Sequence, residues 1–218
     1  MTALLIWFSC HTSAVAGAWP REEGQFFISA GGNFLLSDGA RLPVHYDPTL
    51  YVEYGWDGHI TLGADVHTAD VGRIIAGFVF VNVPIGDPDA DNKFAAQLGL
   101  GTRLQMGQPT EYQIRAGASW GRGLTNGWLA ADAYTTIGTR DRTLRPKLDL
   151  TWGHHWSESW TTSLQLQSGQ GSSGDYYVKI VPSVIYSLRP DIQIQVGAVQ
   201  ALTGDKGAGL KVETWFRF

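Results

Sequence analysis

The final stretch of the chain, residues 210–218, alternates strictly between two kinds of side chain. Lys211 and Glu213 belong to a charged or amphipathic face, and Val212 belongs to an apolar or neutral one. A two-residue period predicts a β-strand with one face toward an apolar surrounding and the other toward a polar one. The strand finishes on Phe218, and an aromatic ring is well suited to a membrane–water interface. The stretch therefore predicts the closing strand of a membrane-spanning sheet.

This closing strand resembles the last strand of Gram-negative outer-membrane β-barrel proteins, in which an alternating apolar motif ends in Phe. The resemblance implies export through the periplasm and residence in the outer membrane, in contact with lipopolysaccharide and phospholipid. It also implies that the barrel-assembly machinery binds the strand that ends at Phe218. The motif covers only about nine residues, so the rest of the chain must supply strands that agree with it.

Segments of about ten residues, separated by turn residues such as Asp57-Gly58, follow one another from about Gln25 onward. None has the 3.6-residue period of an amphipathic helix. With the closing strand they number about twelve, an even number. We therefore predict an all-β fold, a single antiparallel up-and-down transmembrane β-barrel over residues 19–218, with both termini in the periplasm.

Three stretches complicate the pattern. A polar loop is predicted from Leu36 to Pro48, and the segment from Arg73 to Val83 is apolar on both faces, which leaves its register undefined. Pro182 falls in mid-strand on the apolar face, where it cannot donate to the sheet. A bulge, or pairing on its carbonyl side only, is expected there.

Alternation alone does not say whether the apolar face points inward, as in a soluble sandwich, or toward lipid. Large rings on the apolar face collect at one end of the predicted strands, as expected of residues at the periplasmic interface. Tyr112 and Tyr176 are expected in a sparser outer girdle. The predicted interfacial residues are Trp56, Trp120, Trp152, Trp160, Tyr186, Phe216 and Phe218.

Residues 1–18 read as a signal peptide, with an apolar core and a small-residue cleavage site after Ala16 or Ala18. No Lys or Arg precedes the core. The single cysteine, Cys10, lies in this leader, and the residues before it do not favour lipidation. A mature chain without a thiol has no cysteine metal or redox site, and neither a cofactor nor a metal is expected.

The formal net charge of −4 and the lack of a basic cluster disfavour a nucleic-acid partner. Many residues on the polar, inward face are small, which suggests free space in the lumen, and basic residues outnumber acidic ones there. A cationic excess in a narrow lumen favours anions. Four of the charges, Arg115, Asp132, Lys147 and Asp149, are also expected to form a cross-strand ion-pair ladder. The predicted pore-lining residues are Glu53, Asp65, Arg73, Lys93, Arg103, Arg115, Asp132, Lys147, Asp149, Lys179, Lys211 and Glu213.

These features predict a narrow passive channel for small polar or anionic solutes, with the first long loop as its only candidate lid. A closed structural barrel without transport is the alternative. An outer-membrane hydrolase ranks third, because Asp65 and His67, with His45 in the first loop, have no nucleophile signature beside them. No catalytic residue is assigned.

Two further motifs are given structural interpretations. His154 and His155 are adjacent and cannot both ligate one metal comfortably, so we interpret them as interfacial residues in a turn. The stretch 87–92 begins like a calcium loop but lacks the glycine and the distant glutamate of that pattern, so we expect a polar turn.

Overall fold

In a computed structural model, the chain is described over residues 17–36, 45–69, 72–140, 142–171, 174–204 and 207–218. Most of the predicted leader, with Cys10, and residues 37–44 of the predicted first loop lie outside these ranges. The described residues contain twelve strands. They are β1 (Phe26–Leu36), β2 (His45–Gly55), β3 (Thr61–Ala69), β4 (Ile74–Ile85), β5 (Asn92–Gln105), β6 (Glu111–Leu124), β7 (Gly127–Gly138), β8 (Leu144–His155), β9 (Trp160–Gln170), β10 (Tyr176–Arg189), β11 (Ile192–Thr203) and β12 (Ala208–Arg217).

Each strand pairs with its neighbours in the chain, and β1 pairs with β12, so the sheet closes into an antiparallel barrel. The closing pair runs in continuous register from Phe27 opposite Arg217 to Leu36 opposite Ala208. The predicted up-and-down barrel, with its even number of strands, is confirmed. No helix among the described residues is long and apolar enough to cross a membrane.

The barrel has two ends, which we name by what lies there. The termini end holds the start of β1 and the last residue of β12, and the far end holds the connection from β1 to β2. The two shortest connections between strands, residues 125–126 and 190–191, lie at the termini end. At the same end the backbones of Phe26 and Phe218 hydrogen-bond in both directions, at 2.7 and 3.1 Å.

Apolar side chains cover the outside of the barrel. Leu62, Leu98 and Ile114, for example, are all substantially exposed, and each lies beside an apolar residue on the next strand. A closed barrel with an apolar exterior satisfies its backbone hydrogen bonds internally, which is what a lipid surrounding demands. This is the architecture of a transmembrane barrel rather than of a soluble sandwich.

Rings on the outer face gather at the termini end. The ring centroids of Phe26 and Tyr54 lie 4.6 Å apart in a tilted arrangement, and those of Trp160 and Tyr186 also lie 4.6 Å apart. The predicted residues Trp56, Trp120, Trp152, Trp160, Tyr186, Phe216 and Phe218 all belong to this end and this face. A sparser set at the far end consists of Phe34, Tyr46, Tyr112 and Tyr176.

Several boundaries differ from those the sequence predicts. β2 begins at His45, so the last residues of the predicted 36–48 loop are strand. Pro48 is tolerated because it pairs with Gly32 on β1, while the pairing of β2 with β3 begins only at Thr49. Pro182 is opposite Leu164 on β9, whereas neither Pro182 nor Val181 pairs with a residue of β11. The ladder is therefore interrupted on one side of Pro182, as expected for a residue without an N–H.

The histidine pair occupies the end of β8 rather than a turn. Adjacent strand residues face opposite sides, so the two rings part. His154 points outward between Trp152 and Trp156, with ring centroids at 6.0 and 4.5 Å. His155 points inward, with its Nδ1 2.8 Å from the Thr161 hydroxyl. The interfacial interpretation fits His154, and it is wrong for His155.

Candidate functional site: the lumen

The inward face carries most of the residues predicted to line a pore. Strand parity and register place eleven of the twelve there; their pore-lining role stays a prediction. The exception is Arg73, which lies exposed in the turn before β4. The inward residues of β4 include Ile74, Phe78 and Phe80, which are buried. The eleven are Glu53, Asp65, Lys93, Arg103, Arg115, Asp132, Lys147, Asp149, Lys179, Lys211 and Glu213.

Aromatic side chains occupy the space that the inward glycines provide. A Cβ on Gly63 would lie 2.1 Å from the ring of Phe80, and one on Gly117 would lie 2.6 Å from the ring of Tyr134. Gly101 leaves room for Phe78 in the same way. The expectation that small inward residues leave the lumen open is therefore wrong at these positions. Each glycine instead allows a ring from a neighbouring strand to lie flat against the wall.

The far half of the lumen has a basic wall. We use this name for Arg103, Arg115, Arg145, Lys147 and Lys179, which project inward from β5, β6, β8 and β10. Among the described residues, its ion pairs involve the carboxylates of Asp65, Glu111 and Asp149. Glu111, buried at the start of β6, is 3.8 Å from both Arg103 and Arg145, so one carboxylate serves two guanidinium groups.

Arg115, a member of the basic wall, contacts both an aromatic ring and a carboxylate. Its guanidinium lies 4.3 Å from the centre of the Phe78 ring, and its Nη2 is 2.5 Å from Oδ2 of Asp65. Asp65 is on β3, which is separated from β6 by two strands, so the ion pair passes over the rings of β4. The expected ladder is therefore not formed as predicted. Arg115 pairs with Asp65 rather than Asp132, and Lys147 pairs with Asp149 on its own strand, at 2.7 Å.

The termini half of the lumen holds an apolar cluster. Phe27, Trp128, Ala130, Ile185 and Trp215 form a buried cluster from four strands, and Tyr51 and Trp19 pack against it. Sequence alternation anticipates Trp128 and Trp215 on the inward face, but not that they meet. The cluster therefore fills part of the lumen toward the termini end, while the basic wall lies toward the far end.

Residues 17–24, which we call the N-terminal segment, lie inside the termini half. Gly24 bonds the backbone of Gly55 at the rim, and Ala18 is completely buried. Arg21 is held between strands: its Nε donates to Glu53 at 2.6 Å, and its backbone N–H donates to the Thr61 hydroxyl at 3.0 Å. The segment therefore fills part of the lumen from the termini end.

Sequence reasoning missed three groups in the lumen, which are Arg145, Glu111 and the N-terminal segment. Arg145 continues the two-residue period of Lys147 and Asp149, which indicates the inward face. Glu111 lies one residue before Tyr112, where the sequence predicts that a strand begins. The segment has no periodic signal, so its docking is visible only in the assembled barrel.

The candidate hydrolytic group is weakly organised. His67 Nδ1 is 3.7 Å from Oδ1 of Asp65, and the other oxygen of this carboxylate is held by Arg115. The imidazole is half-exposed toward the far end. The side chain of His45 lies outside what the structure describes.

The polar turn expected at 87–92 is present, with Asp87 accepting a 2.8 Å hydrogen bond from the backbone of Asp89. Within the described ranges, no three His, Cys, Asp or Glu side chains are grouped so as to hold a metal ion.

Comparison with solved structures identifies several barrels of the same fold. The KdgM porin aligns with 88% of this chain and 99% of its own, at a TM-score of 0.64 and 11% identity. The NanC porin aligns with 88% of this chain and 98% of its own, at 0.59 and 14%. Escherichia coli outer membrane phospholipase A aligns with 93% of this chain and 98% of its own, at 0.53 and 10%.

No protein-family model matches the chain, and no curated protein matches it at a significant level. At these identities the likeness establishes the fold: the chain has the twelve-stranded barrel architecture of bacterial outer-membrane proteins.

Proposed function

We propose that the protein is a narrow passive channel of the outer membrane for small polar solutes, with a mild preference for anions. Its termini end faces the periplasm, because the denser aromatic girdle and the two shortest turns lie there. The Phe218 strand is the part that the barrel-assembly machinery binds, and lipopolysaccharide and phospholipid cover the outer face.

The basic wall is the observation that carries the proposal. Five cationic side chains project into the far half of the lumen, and among the described residues their ion pairs involve three carboxylates. Low-dielectric walls concentrate the field of such charges, which raises the local concentration of anions and lowers that of cations. Ion pairs such as that of Arg115 with Asp65 reduce this field, so we expect a modest selectivity.

Two fold relatives support transport of small solutes. The KdgM and NanC barrels are porins, and a KdgM porin structure contains disordered oligogalacturonate. Oligogalacturonate is a chain of sugar acids. A basic wall suits such a solute because guanidinium and ammonium groups bind carboxylates through charge-assisted hydrogen bonds. Anionic sugars are therefore the solute class to test first.

Planar-bilayer recording of the purified full-length protein tests the proposal. We expect discrete conductance steps and, in a salt gradient, a reversal potential on the anion side. Added oligogalacturonate should interrupt the current at lower concentration than a neutral oligosaccharide of the same length. A cation-selective reversal potential would contradict the anion preference.

A closed structural barrel is the second candidate. The N-terminal segment and the apolar cluster around Phe27 occupy the termini half of the lumen, which favours it. If no current is observed at any voltage, the channel proposal fails and the closed barrel takes its place.

We further propose that the protein is not an enzyme. Outer membrane phospholipase A has a similar fold, so the direct test is turnover of phospholipid or lipid A by the purified barrel. Turnover that is lost in His67→Ala would overturn this, since His67 with Asp65 is the candidate acid–base pair.

A further inference from the structure

Gly17 lies deep in the lumen, among polar side chains from three strands. The Asn82 amide donates a hydrogen bond to the Gly17 carbonyl, and the Gly17 backbone N–H donates to the carboxylate of Asp132. A Cβ on Gly17 would be 3.0 Å from the Ser119 hydroxyl. The N-terminal segment thus brings its Gly17 nitrogen onto a buried carboxylate.

The polar side chains around Gly17 and Asp132 include buried acceptors that no donor in the described ranges reaches. Asp132 is paired across the strands with Asp149, and both are 7% exposed. Oδ1 of Asp149 and Oδ1 of Asn82 are buried, and neither has a hydrogen-bond partner among the described residues. Unsatisfied buried acceptors are costly, so such a site calls for a further donor.

The two buried carboxylates, Asp132 and Asp149, also have too few positive charges beside them. Lys147 Nζ is 2.7 Å from Oδ2 of Asp149, which pairs one carboxylate. Asp132 accepts from the Ser119 hydroxyl at 2.6 Å, but no basic side chain in the described part of the chain forms an ion pair with it. A buried carboxylate without a cation is expensive. The site therefore needs one positive charge as well as donors.

The sequence offers a source of that charge. Ala14-Val15-Ala16 directly precedes Gly17, and small residues spaced in this way mark a signal-peptidase site. Hydrolysis of the Ala16–Gly17 peptide bond consumes one water. It leaves a carboxylate on the departing leader and an α-amine on Gly17, which is protonated at neutral pH.

We propose that the leader is removed after Ala16 and that the new Gly17 α-ammonium docks in the lumen as the ion-pair partner of Asp132. A single amide N–H is thereby replaced by an ammonium with three, which can also serve the neighbouring acceptors of Asp149 and Asn82. Processing thus supplies the charge that fixes the N-terminal segment inside the barrel. This does not depend on whether the barrel conducts.

The alternative cleavage after Ala18 makes a different prediction. It would remove Gly17 together with the completely buried Ala18, and it would leave Asp132 with no N-terminal partner. The two sites differ by two residues, so intact mass distinguishes them.

The first experiment is therefore mass spectrometry of the full chain, expressed with its own leader and purified from the outer membrane of a Gram-negative host. A mature protein that begins at Gly17 is the expected result. A start at Trp19, or a retained leader, overturns the proposal.

The second experiment tests the ion pair in the processed protein. The unfolded protein is acetylated selectively at its α-amine and refolded into vesicles, and its unfolding in urea is compared with that of the untreated barrel. We expect acetylation to lower the folded-to-unfolded ratio at least tenfold. In Asp132→Asn the effect of acetylation should largely disappear, while in the exposed-turn control Asp191→Asn it should persist.

Equal effects of acetylation in all three proteins, or no effect in any, overturn the ion pair. If Asp132→Asn does not fold, the comparison is made instead with a variant that has Ser-Gly inserted after Ala16. This insertion keeps an N-terminal ammonium but displaces it by two residues. A variant as stable as the unmodified barrel overturns the proposal, and one that is as unstable as the acetylated protein supports it.

Discussion

Nε of Arg21 lies 2.6 Å from Oε2 of Glu53, and the two side chains are each only 3% exposed. The pair is completed by contacts on both sides. The Tyr51 hydroxyl donates to the other oxygen of Glu53 at 2.7 Å, and the Arg21 guanidinium lies 4.4 Å from the centre of the Phe27 ring. The N-terminal segment is thereby joined to the wall of β2 by a desolvated, fully bonded ion pair.

Removing only the cation of this pair should be strongly destabilising. We expect Arg21→Met to cost roughly 3–5 kcal/mol in the free energy of unfolding, because Glu53 remains buried without a partner. The double variant Arg21→Met, Glu53→Leu should recover most of the loss. Urea unfolding in lipid vesicles measures both, and Glu23→Ala, at an exposed position of the same segment, serves as the control. Equal stability of the single and double variants would contradict the prediction.

The contact of Trp19 with the lumen wall can be tested by substituting two glycines of β6. A Cβ on Gly121 would be 2.2 Å from the Trp19 ring, whereas a Cβ on Gly123 would have no atom within 4 Å. Gly121→Val should therefore displace the N-terminal segment, and Gly123→Val should not. Hydrogen–deuterium exchange of peptides from residues 17–25 should accelerate in the first variant only. Unchanged exchange in both variants would show that the docking of the N-terminal segment does not depend on the contact of Trp19 with Gly121.

Asp57, in the turn between β2 and β3, should make the free energy of unfolding depend on pH. Its carboxylate accepts hydrogen bonds from the backbone N–H groups of Ile60 and His59, at 2.7 and 2.9 Å, and these hold the pKa of Asp57 below its ordinary value. A lowered pKa in the folded state adds stability above the unfolded pKa of about 3.9, and this is lost as the pH falls through the folded value. NMR titration of the carboxyl group should give a midpoint below that of an unstructured Asp peptide. Asp57→Asn should abolish the corresponding acid dependence of unfolding.

Arg115 should govern ion selectivity if the barrel conducts. Arg115→Met removes a cation from the basic wall and leaves Asp65 without its guanidinium partner, so we expect the reversal potential in a salt gradient to shift toward cations. Arg115→Lys, which keeps the charge, should shift it much less. Arg122→Met is the matched control, because Arg122 is exposed on the opposite face of β6. A shift of the same size in the control would show that the lumen assignment is wrong.

Phe218 should contribute to assembly as well as closure. Its ring lies 6.4 Å from that of Phe26, and its backbone completes the pairing of β12 with β1 at the interface. Deletion of Phe218 should reduce the amount of folded barrel in the outer membrane several-fold, whereas Phe218→Tyr should be tolerated because the interfacial ring is kept. Leu188→Ala, at another exposed site of the same end, is the control. The heat-modifiable band on a gel measures the folded fraction. Full assembly after the deletion would argue against a role in recognition.

The outer surface was predictable to the level of single residues. Leu98 and Ile114 face lipid, and Trp160 and Tyr186 meet at the interface, because both features follow from a two-residue period and from the preference of rings for a membrane boundary. β4 is apolar on both faces, so its sequence does not indicate which of its residues face the lumen. Arg73 was consequently placed on the inward face, although it lies in the turn before the strand.

The sequence by itself thus determined the barrel, its strand number and which face of most strands meets lipid, since these depend on local alternation and on the satisfaction of backbone hydrogen bonds. Only the tertiary structure decided what fills the lumen. The ion pair of Arg115 with Asp65, the rings that lie over inward glycines and the docking of Gly17 on Asp132 all join residues distant in the chain. Such contacts depend on how far side chains reach across a closed interior, and no period in the sequence encodes that distance.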